Sequence, residues 1–180
     1  EHGIPDDLAI QIPESITSGE LLKVNLTTTQ ELNGATVKYA FNNGAYQDSN
    51  EFSTQGIVGK DLVVKVRVTV GEKSVELYET ITVNFNENDG LALNVSGWDK
   101  EEYGKLVYIV SSNGQISFSV DNIGYYSASN PTVTYYFNNT NCNGNTVDKT
   151  VIGDGIPVYA IISANGLEKK LNGFSLTGRY

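Results

Sequence analysis

The octapeptide TVKYAFNN (Thr36–Asn43) returns as TVTYYFNN (Thr132–Asn139), 96 residues further along the chain. A repeat of this period requires two like structural units in tandem, each with its own core. The match extends in both directions. VGKDLVVKVRVTV (Val58–Val70) lies against IGDGIPVYAIISA (Ile152–Ala164), LLKVNL (Leu21–Leu26) against QISFSV (Gln115–Val120), and LAIQI (Leu8–Ile12) against LALNV (Leu91–Val95). Apolar and polar residues alternate with period 2 in every matched block, the pattern of half-buried strands. Gly, Asn, Asp and Pro fill the gaps and mark turns. No window carries helical periodicity.

The first copy spans about 6–85 and the second 91–180. They meet at NENDG (Asn86–Gly90), a polar, acidic joint with no apolar anchor that reads as a short linker. The expected division is therefore 1–87 and 88–180. Seven strands are expected in the first copy, at 8–12, 21–27, 36–41, 45–48, 51–57, 61–70 and 74–84. Seven short strands in about 80 residues make an all-β chain of two Greek-key β-sandwiches, of immunoglobulin or fibronectin III type.

A hydrophobic fraction of 39% with 18% charged residues suits a folded domain. The net charge of −9 repels phosphate backbones, which argues against nucleic acid as a partner, and anionic membranes are disfavoured in the same way. No stretch approaches the roughly 20 apolar residues of a membrane span, so no membrane insertion is expected. No signal peptide is visible and there is no Met, so the sequence reads as a mature or excised piece. With one cysteine, Cys142, no internal disulfide can form and the units stand on packing alone.

A disulfide-free tandem of such sandwiches, rich in Asn, Gly and Thr, resembles the Ig-like or fibronectin III-like modules of bacterial secreted and surface proteins. The resemblance covers the whole chain. It implies an extracellular or cell-surface location and a role as spacer, glycan binder or adhesin segment. Its implied partners are a polysaccharide or cell-surface glycan and other domains of the parent protein.

The first copy fixes which way its strands face. Val37, Tyr39 and Phe41 share one side of their strand, as do Leu62, Val64, Val66 and Val68, while Lys38, Lys65 and Arg67 point out. A shift of one residue would bury unpaired cations. Carried to the second copy, that register buries Val133, Tyr135, Phe137, Ile156, Val158 and Ile162. It turns Thr134, Tyr136, Tyr159 and Ile161 outward, where the first copy has Lys38, Ala40, Lys65 and Arg67. Charge gives way to aromatic and apolar surface.

The second copy also carries SGWDKEEYGKLVYIVSS (96–112) where the first has only PESITSGE (Pro13–Glu20). That insertion holds Trp98, the single Trp, with Tyr103, Tyr108 and a strand candidate at 105–110. Eight of the eleven tyrosines lie beyond residue 100. Residues 1–88 hold 6 basic and 13 acidic groups, against 6 and 8 in 89–180, so the first copy reads as a solvated spacer and the second as specialised. The candidate site is Trp98, Tyr103, Tyr136, Tyr159 and Ile161. Three readings of this face stand open: aromatic rings for stacking sugars, a surface buried beneath the insertion, or a docking surface for another domain.

No catalytic constellation is present, and no residue pattern calls for a cofactor. His2, the only His, follows Glu1, so it does not match the N-terminal His of lytic polysaccharide monooxygenases, which need a second His for copper. Triads and most zinc sites are excluded with it. Asp99, Glu101 and Glu102 could pair for glycoside hydrolysis but read as solvated turn acids. The joint NENDG offers oxygen ligands to Ca²⁺ without the full ligand pattern, so no metal site is expected. Cys142 has no cation nearby to activate it. Three glycosylation sequons, at Asn25, Asn94 and Asn138, matter only in a eukaryotic secretory host.

Overall fold

A computed structural model describes residues 3–110 and 114–180. His2 and the end of the expected insertion, Ser111 and Ser112, lie outside the described residues. The chain forms two compact units, Glu1–Asn86 and Glu87–Tyr180. Each is an Ig-like β-sandwich.

The first unit contains β1 (Ala9–Gln11), β2 (Ser15–Thr17), β3 (Leu21–Lys23), β4 (Asn25–Thr27), β5 (Ala35–Phe41), β6 (Glu51–Ser53), β7 (Gly59–Val70) and β8 (Lys73–Asn84). One sheet runs β2-β8-β7-β5. The opposing layer is built from the pairs β1-β4 and β3-β6. The leading segment serves both layers: β1 pairs antiparallel with β4, and β2 then pairs parallel with β8. Leu22, Val24, Phe41, Leu62, Val64, Val66, Val68, Ile81 and Val83 form the core. Phe41 and Phe52 stack across the two layers, centroids 4.9 Å apart.

The second unit contains β9 (Ala92–Val95), β10 (Lys100–Glu102), β11 (Lys105–Ile109), β12 (Gln115–Asp121), β13 (Thr132–Phe137), β14 (Thr140–Asn141), β15 (Thr146–Asp148), β16 (Ile156–Ala164) and β17 (Leu167–Arg179). Its sheets run β10-β11-β17-β16-β13-β14 and β15-β12-β9. Phe118 of β12 stacks on Tyr135 of β13 between the layers, at 5.9 Å.

Backbone pairing carries the repeat into three dimensions. Tyr39 lies opposite Val66 as Tyr135 lies opposite Ala160, and Phe41 opposite Val64 as Phe137 opposite Val158. The octapeptide ends in Asn-Asn because both copies turn there with positive φ. Asn42 and Asn43 have φ of 52° and 61°, and Asn138 and Asn139 have the same values. Asn tolerates this left-handed region better than most side chains, and a two-residue hairpin turn of this type requires it twice.

Several expectations are corrected. Segment 45–48 forms no strand; Gln47 makes only an isolated bridge to Tyr39. Strand 51–57 shortens to 51–53, and β2 appears within what read as a connecting loop. Much of the insertion is not extra, because β11 pairs parallel with β17 as β2 does with β8. The additional element is β10 with its turn. Ala40, on the outer face, is buried to 1% exposure because the longer Lys65 stands opposite it. Val37 and Tyr39 in the first unit, and Val133, Tyr135, Phe137 and Ile156 in the second, are half-buried rather than fully buried. For the three on β13 the reason is position: beyond that strand the sheet holds only the two residues of β14.

The joint is not a bare linker. Asp89 is 2% exposed and belongs to the second unit. Its Oδ2 accepts from the Tyr126 hydroxyl at 2.7 Å and from Lys169 Nζ at 3.0 Å, and its Oδ1 from Leu91 N at 3.0 Å. Asn122 Nδ2 donates to its carbonyl. Burial pushes the carboxyl up, but the Tyr126 hydroxyl, the Leu91 N–H and the Lys169 ammonium outweigh it and hold the group below its ordinary range. An ammonium in contact with this carboxylate repels a second cation, which removes Asp89 as a calcium ligand. Among the described residues no group of three His, Cys, Asp or Glu is placed to hold a metal ion.

Candidate binding site

The outer faces of the two long sheets occupy the same register and differ in side chains. In the first unit Lys65 lies opposite Tyr78 and Arg67 opposite Glu76. The Arg67 guanidinium sits 4.3 Å from the Tyr46 ring centroid, and Lys65 Nζ 5.5 Å from that of Tyr78. Both phenols donate to Glu76, at 2.7 and 2.9 Å. Burial and then the Glu76 bond push the Tyr46 phenol up to about 12. The two phenols in turn hold the Glu76 carboxyl below its usual range. Lys38 pairs with Asp48. This face is a closed network, not the bare solvated surface its charges suggested.

In the second unit Tyr136 lies opposite Tyr159 as Ala40 lies opposite Lys65, and Thr134 opposite Ile161 as Lys38 opposite Arg67. On the far side of β16, Asn172 lies opposite Tyr159 and Lys170 opposite Ile161. Lys170 thus holds the place of Glu76. The two tyrosine rings stack with centroids 4.8 Å apart and planes 11° from parallel. They stand against each other across the strands instead of lying flat on the sheet. Lys170 Nζ covers the other face of Tyr159, 4.2 Å from its centroid. A column Lys170–Tyr159–Tyr136 results, and on the far side of Tyr136 its cross-strand neighbour is Asn141 of β14. Such stacks contribute about 0.5–1.5 kcal/mol per aromatic pair and about 0.5–1 kcal/mol per exposed cation–π contact. Among the described residues, the hydroxyls of Tyr136 and Tyr159 have no hydrogen-bond partner.

A shallow cavity of about 380 Å³ lies at the edge of β13, lined by Val133, Thr134, Tyr135, Asn141, Asn143 and Asn145 among others; Tyr136 is not part of its lining, and Val133 and Tyr135 belong to the inward side of the strand. Asn141 turns its Oδ1 back to the Asn143 N–H at 2.8 Å. Cys142, in the same loop, is half-buried and burial pushes its thiol up, so it carries no reactive thiolate.

The other predicted residues lie apart. Tyr103 sits in the β10–β11 turn, fully exposed, with φ of 49°. Its level on the sheet is close to that of Tyr159, two strand spacings away, or about 10 Å. Trp98 is 46% exposed and precedes β10, level with the end of β17, on the order of 20 Å from Tyr159 by strand rise and spacing. The fold does not bring it to the tyrosine pair. The described part of the insertion does not cover the pair either, because β10 and β11 extend the sheet at its far edge beyond β17. Tyr108 belongs to the core, its hydroxyl bonded to Ser96 O at 2.9 Å. The acidic cluster is structural: Asp99 Oδ2 accepts from Ile109 N at 2.7 Å, and Glu102 lies within 4 Å of Lys100 and Arg179. The residues missed by sequence reasoning are Lys170 and Asn172. Their signal is the alternation along the last strand, which sets Lys170 and Asn172 against Glu76 and Tyr78 of the first copy.

No family model and no curated protein sequence matches this chain. Among solved structures, a titin fragment overlaps 95% of this chain and 99% of its own, at 11% identity and a TM-score of 0.38. Immunoglobulin domains 1–5 of Sidekick-1 overlap 94% of this chain at 9% identity and a TM-score of 0.38, and this chain spans 39% of that one. Protein SGBP-B of a Bacteroides ovatus mixed-linkage glucan utilization locus, in complex with a mixed-linkage heptasaccharide, overlaps 96% of this chain and 47% of its own at 12% identity and a TM-score of 0.27. Overlaps this loose carry no argument on function. The fold is read from the strand order itself.

Proposed function

We propose that this chain is a non-catalytic, extracellular β-sandwich module of a bacterial polysaccharide-processing protein, in which the first unit is a spacer and the second binds carbohydrate at Tyr136, Tyr159 and Ile161. One observation carries this reading. The same sheet face in the same register holds phenols tied to a carboxylate in the first unit, and stacked phenols with unengaged hydroxyls in the second. Sugars offer apolar C–H faces to a ring and hydroxyls to amides. The stacked tyrosines supply the rings, and Asn141 opposite Tyr136 and Asn172 opposite Tyr159 supply the amides. Tyr103 is close enough to extend the contact; Trp98 is too far to share one sugar ring with Tyr159.

The test is retention on immobilised chitin, cellulose and peptidoglycan. Tyr136→Ala with Tyr159→Ala should abolish retention while leaving the melting temperature nearly unchanged, since both side chains are only half-buried. Retention unchanged in the double variant would refute the site. Unfolding of the second unit would return these rings to a structural role.

A second reading is favoured by a different observation. Trp98, Tyr103, Phe174 and Tyr180 are all large and exposed on the second unit. Exposed apolar groups mark protein contacts, which fits an adhesin or surface-structure segment. Trp98→Ala weakening a protein contact without touching polysaccharide retention would favour it.

A further inference from the structure

We infer that the ligand of the tyrosine face is an acidic saccharide, one carrying carboxylate or sulfate groups, and that Lys170 is the residue that selects it. This rests on the carbohydrate reading above and narrows it. The comparison of the two units supplies the argument, since position 76 and position 170 are structurally equivalent: Glu76 lies opposite Arg67, and Lys170 opposite Ile161. In the first unit two cations and one carboxylate share the face, and the carboxylate is satisfied by two phenols. In the second unit both cations of the central strand are gone and the carboxylate has become an ammonium. The sign is reversed at this one position, and the net of the named groups stays at one positive charge.

That group is held in place and left unneutralised. Lys170 Nζ rests 4.2 Å from the Tyr159 centroid, and no ion pair joins it to a carboxylate among the described residues. The nearest acid along the same side of β17 is Glu168, opposite Ser163 and one step further from the tyrosines. Asn172, on the other side of Lys170 and opposite Tyr159, adds an exposed amide. An ammonium over the Tyr159 ring, with the Asn172 amide next to it on the same side of β17, presents donors to the anionic group of one sugar while a further sugar of the same chain meets Tyr136. The chain's net charge of −9 does not forbid this. Charges further than about 8 Å are screened at physiological ionic strength, so the local ammonium governs a contact at the tyrosine pair.

The experiment uses the full chain in affinity electrophoresis and isothermal titration against polygalacturonate and alginate as carboxylated polymers, heparin as a sulfated one, and cellulose-derived oligosaccharide and xylan as neutral ones. Retardation is expected on at least one anionic polymer, falling several-fold between 50 mM and 500 mM salt. Lys170→Gln should weaken that binding about tenfold, Lys170→Arg should preserve it, and Lys170→Glu should abolish it, all with unchanged melting. Which anionic polymer retards the chain separates carboxylate from sulfate. Equal binding to neutral polymers with Lys170→Gln silent overturns the acidic ligand and leaves the carbohydrate reading standing. Anionic binding that ignores Lys170→Gln and Tyr136→Ala alike overturns this site. No retardation on any polymer overturns both inferences.

Discussion

Asp89→Ala tests whether the segment entering the second unit is locked by charge. The variant removes the acceptor of a hydroxyl with no solvent exposure, Tyr126, and of the Lys169 ammonium, whose side chain is 26% exposed. Breaking a fully buried pair costs about 3–5 kcal/mol. Lys169 can rehydrate in part, which lowers its share, while the lost Tyr126 hydrogen bond adds about 1 kcal/mol. The expected loss is about 2–4 kcal/mol. Trp98 is the single Trp and lies in the second unit, so its fluorescence in urea follows that unit alone. With a slope of about 1 kcal/mol per M for a unit of this size, the midpoint should fall by about 2 M or more at pH 7. Because the folded carboxyl is held below its ordinary value, its contribution is complete above the unfolded pKa, near 3.9, and drains away as pH falls through the folded one. The gap between wild type and variant should therefore narrow as the pH drops below about 4. A midpoint shift under about 0.5 M at pH 7, or a gap that stays constant into acid, would refute the account. Asp89→Asn, which keeps an acceptor for Tyr126, should cost less than Asp89→Ala.

Gly173→Ala should destabilise the second unit by about 1–3 kcal/mol or more, as overpacking does. A Cβ there would meet Val158 O at 2.4 Å and Leu93 Cδ2 at 2.5 Å, at the irregularity where β17 slips against β16. Trp98 fluorescence reads this too, and a neutral result would show that the strand can move aside. Fragments 1–87 and 88–180 should each unfold cooperatively, because each carries a complete pair of sheets with its own core. A fragment without dispersed amide resonances would refute independent folding.

The octapeptide made the fold legible. Its strand alternation and Asn-Asn turn set a register that the backbone pairing repeats pair for pair, from Lys38 opposite Arg67 to Thr134 opposite Ile161. The outward direction of Tyr136 and Tyr159 followed from that register. Their stacking on each other did not, because alternation gives the side of a sheet and not the direction a ring faces. Position in space also escaped the sequence where pairing is long-range. The place of Trp98 depends on β11 joining β17 from nearly 70 residues away in the chain. Asp89 read as a linker acid because its partners, Tyr126 and Lys169, are distant in sequence and nothing local marks it for burial.

Tyrosines alone do not distinguish the two outer faces. The first unit has Tyr46 and Tyr78 on its face, yet Glu76 accepts both hydroxyls and each ring carries a cation. Both phenols there are spent on Glu76, so a ligand would have to displace those hydrogen bonds to use them, although Lys65 and Arg67, like Lys170, rest on rings without an ion pair among the described residues. In the second unit the equivalent of Glu76 is Lys170, which has no acceptor to offer a phenol. The change of one position from carboxylate to ammonium leaves the Tyr136 and Tyr159 hydroxyls without the acceptor that Glu76 supplies in the first unit. A face whose hydrogen-bonding capacity is spent internally gains little from binding. One whose donors are unspent, and whose rings are already ordered by stacking, avoids much of the side-chain entropy cost of holding a ligand. The first unit therefore serves as the internal control for the second. Any polymer that binds both equally is not being recognised by this face.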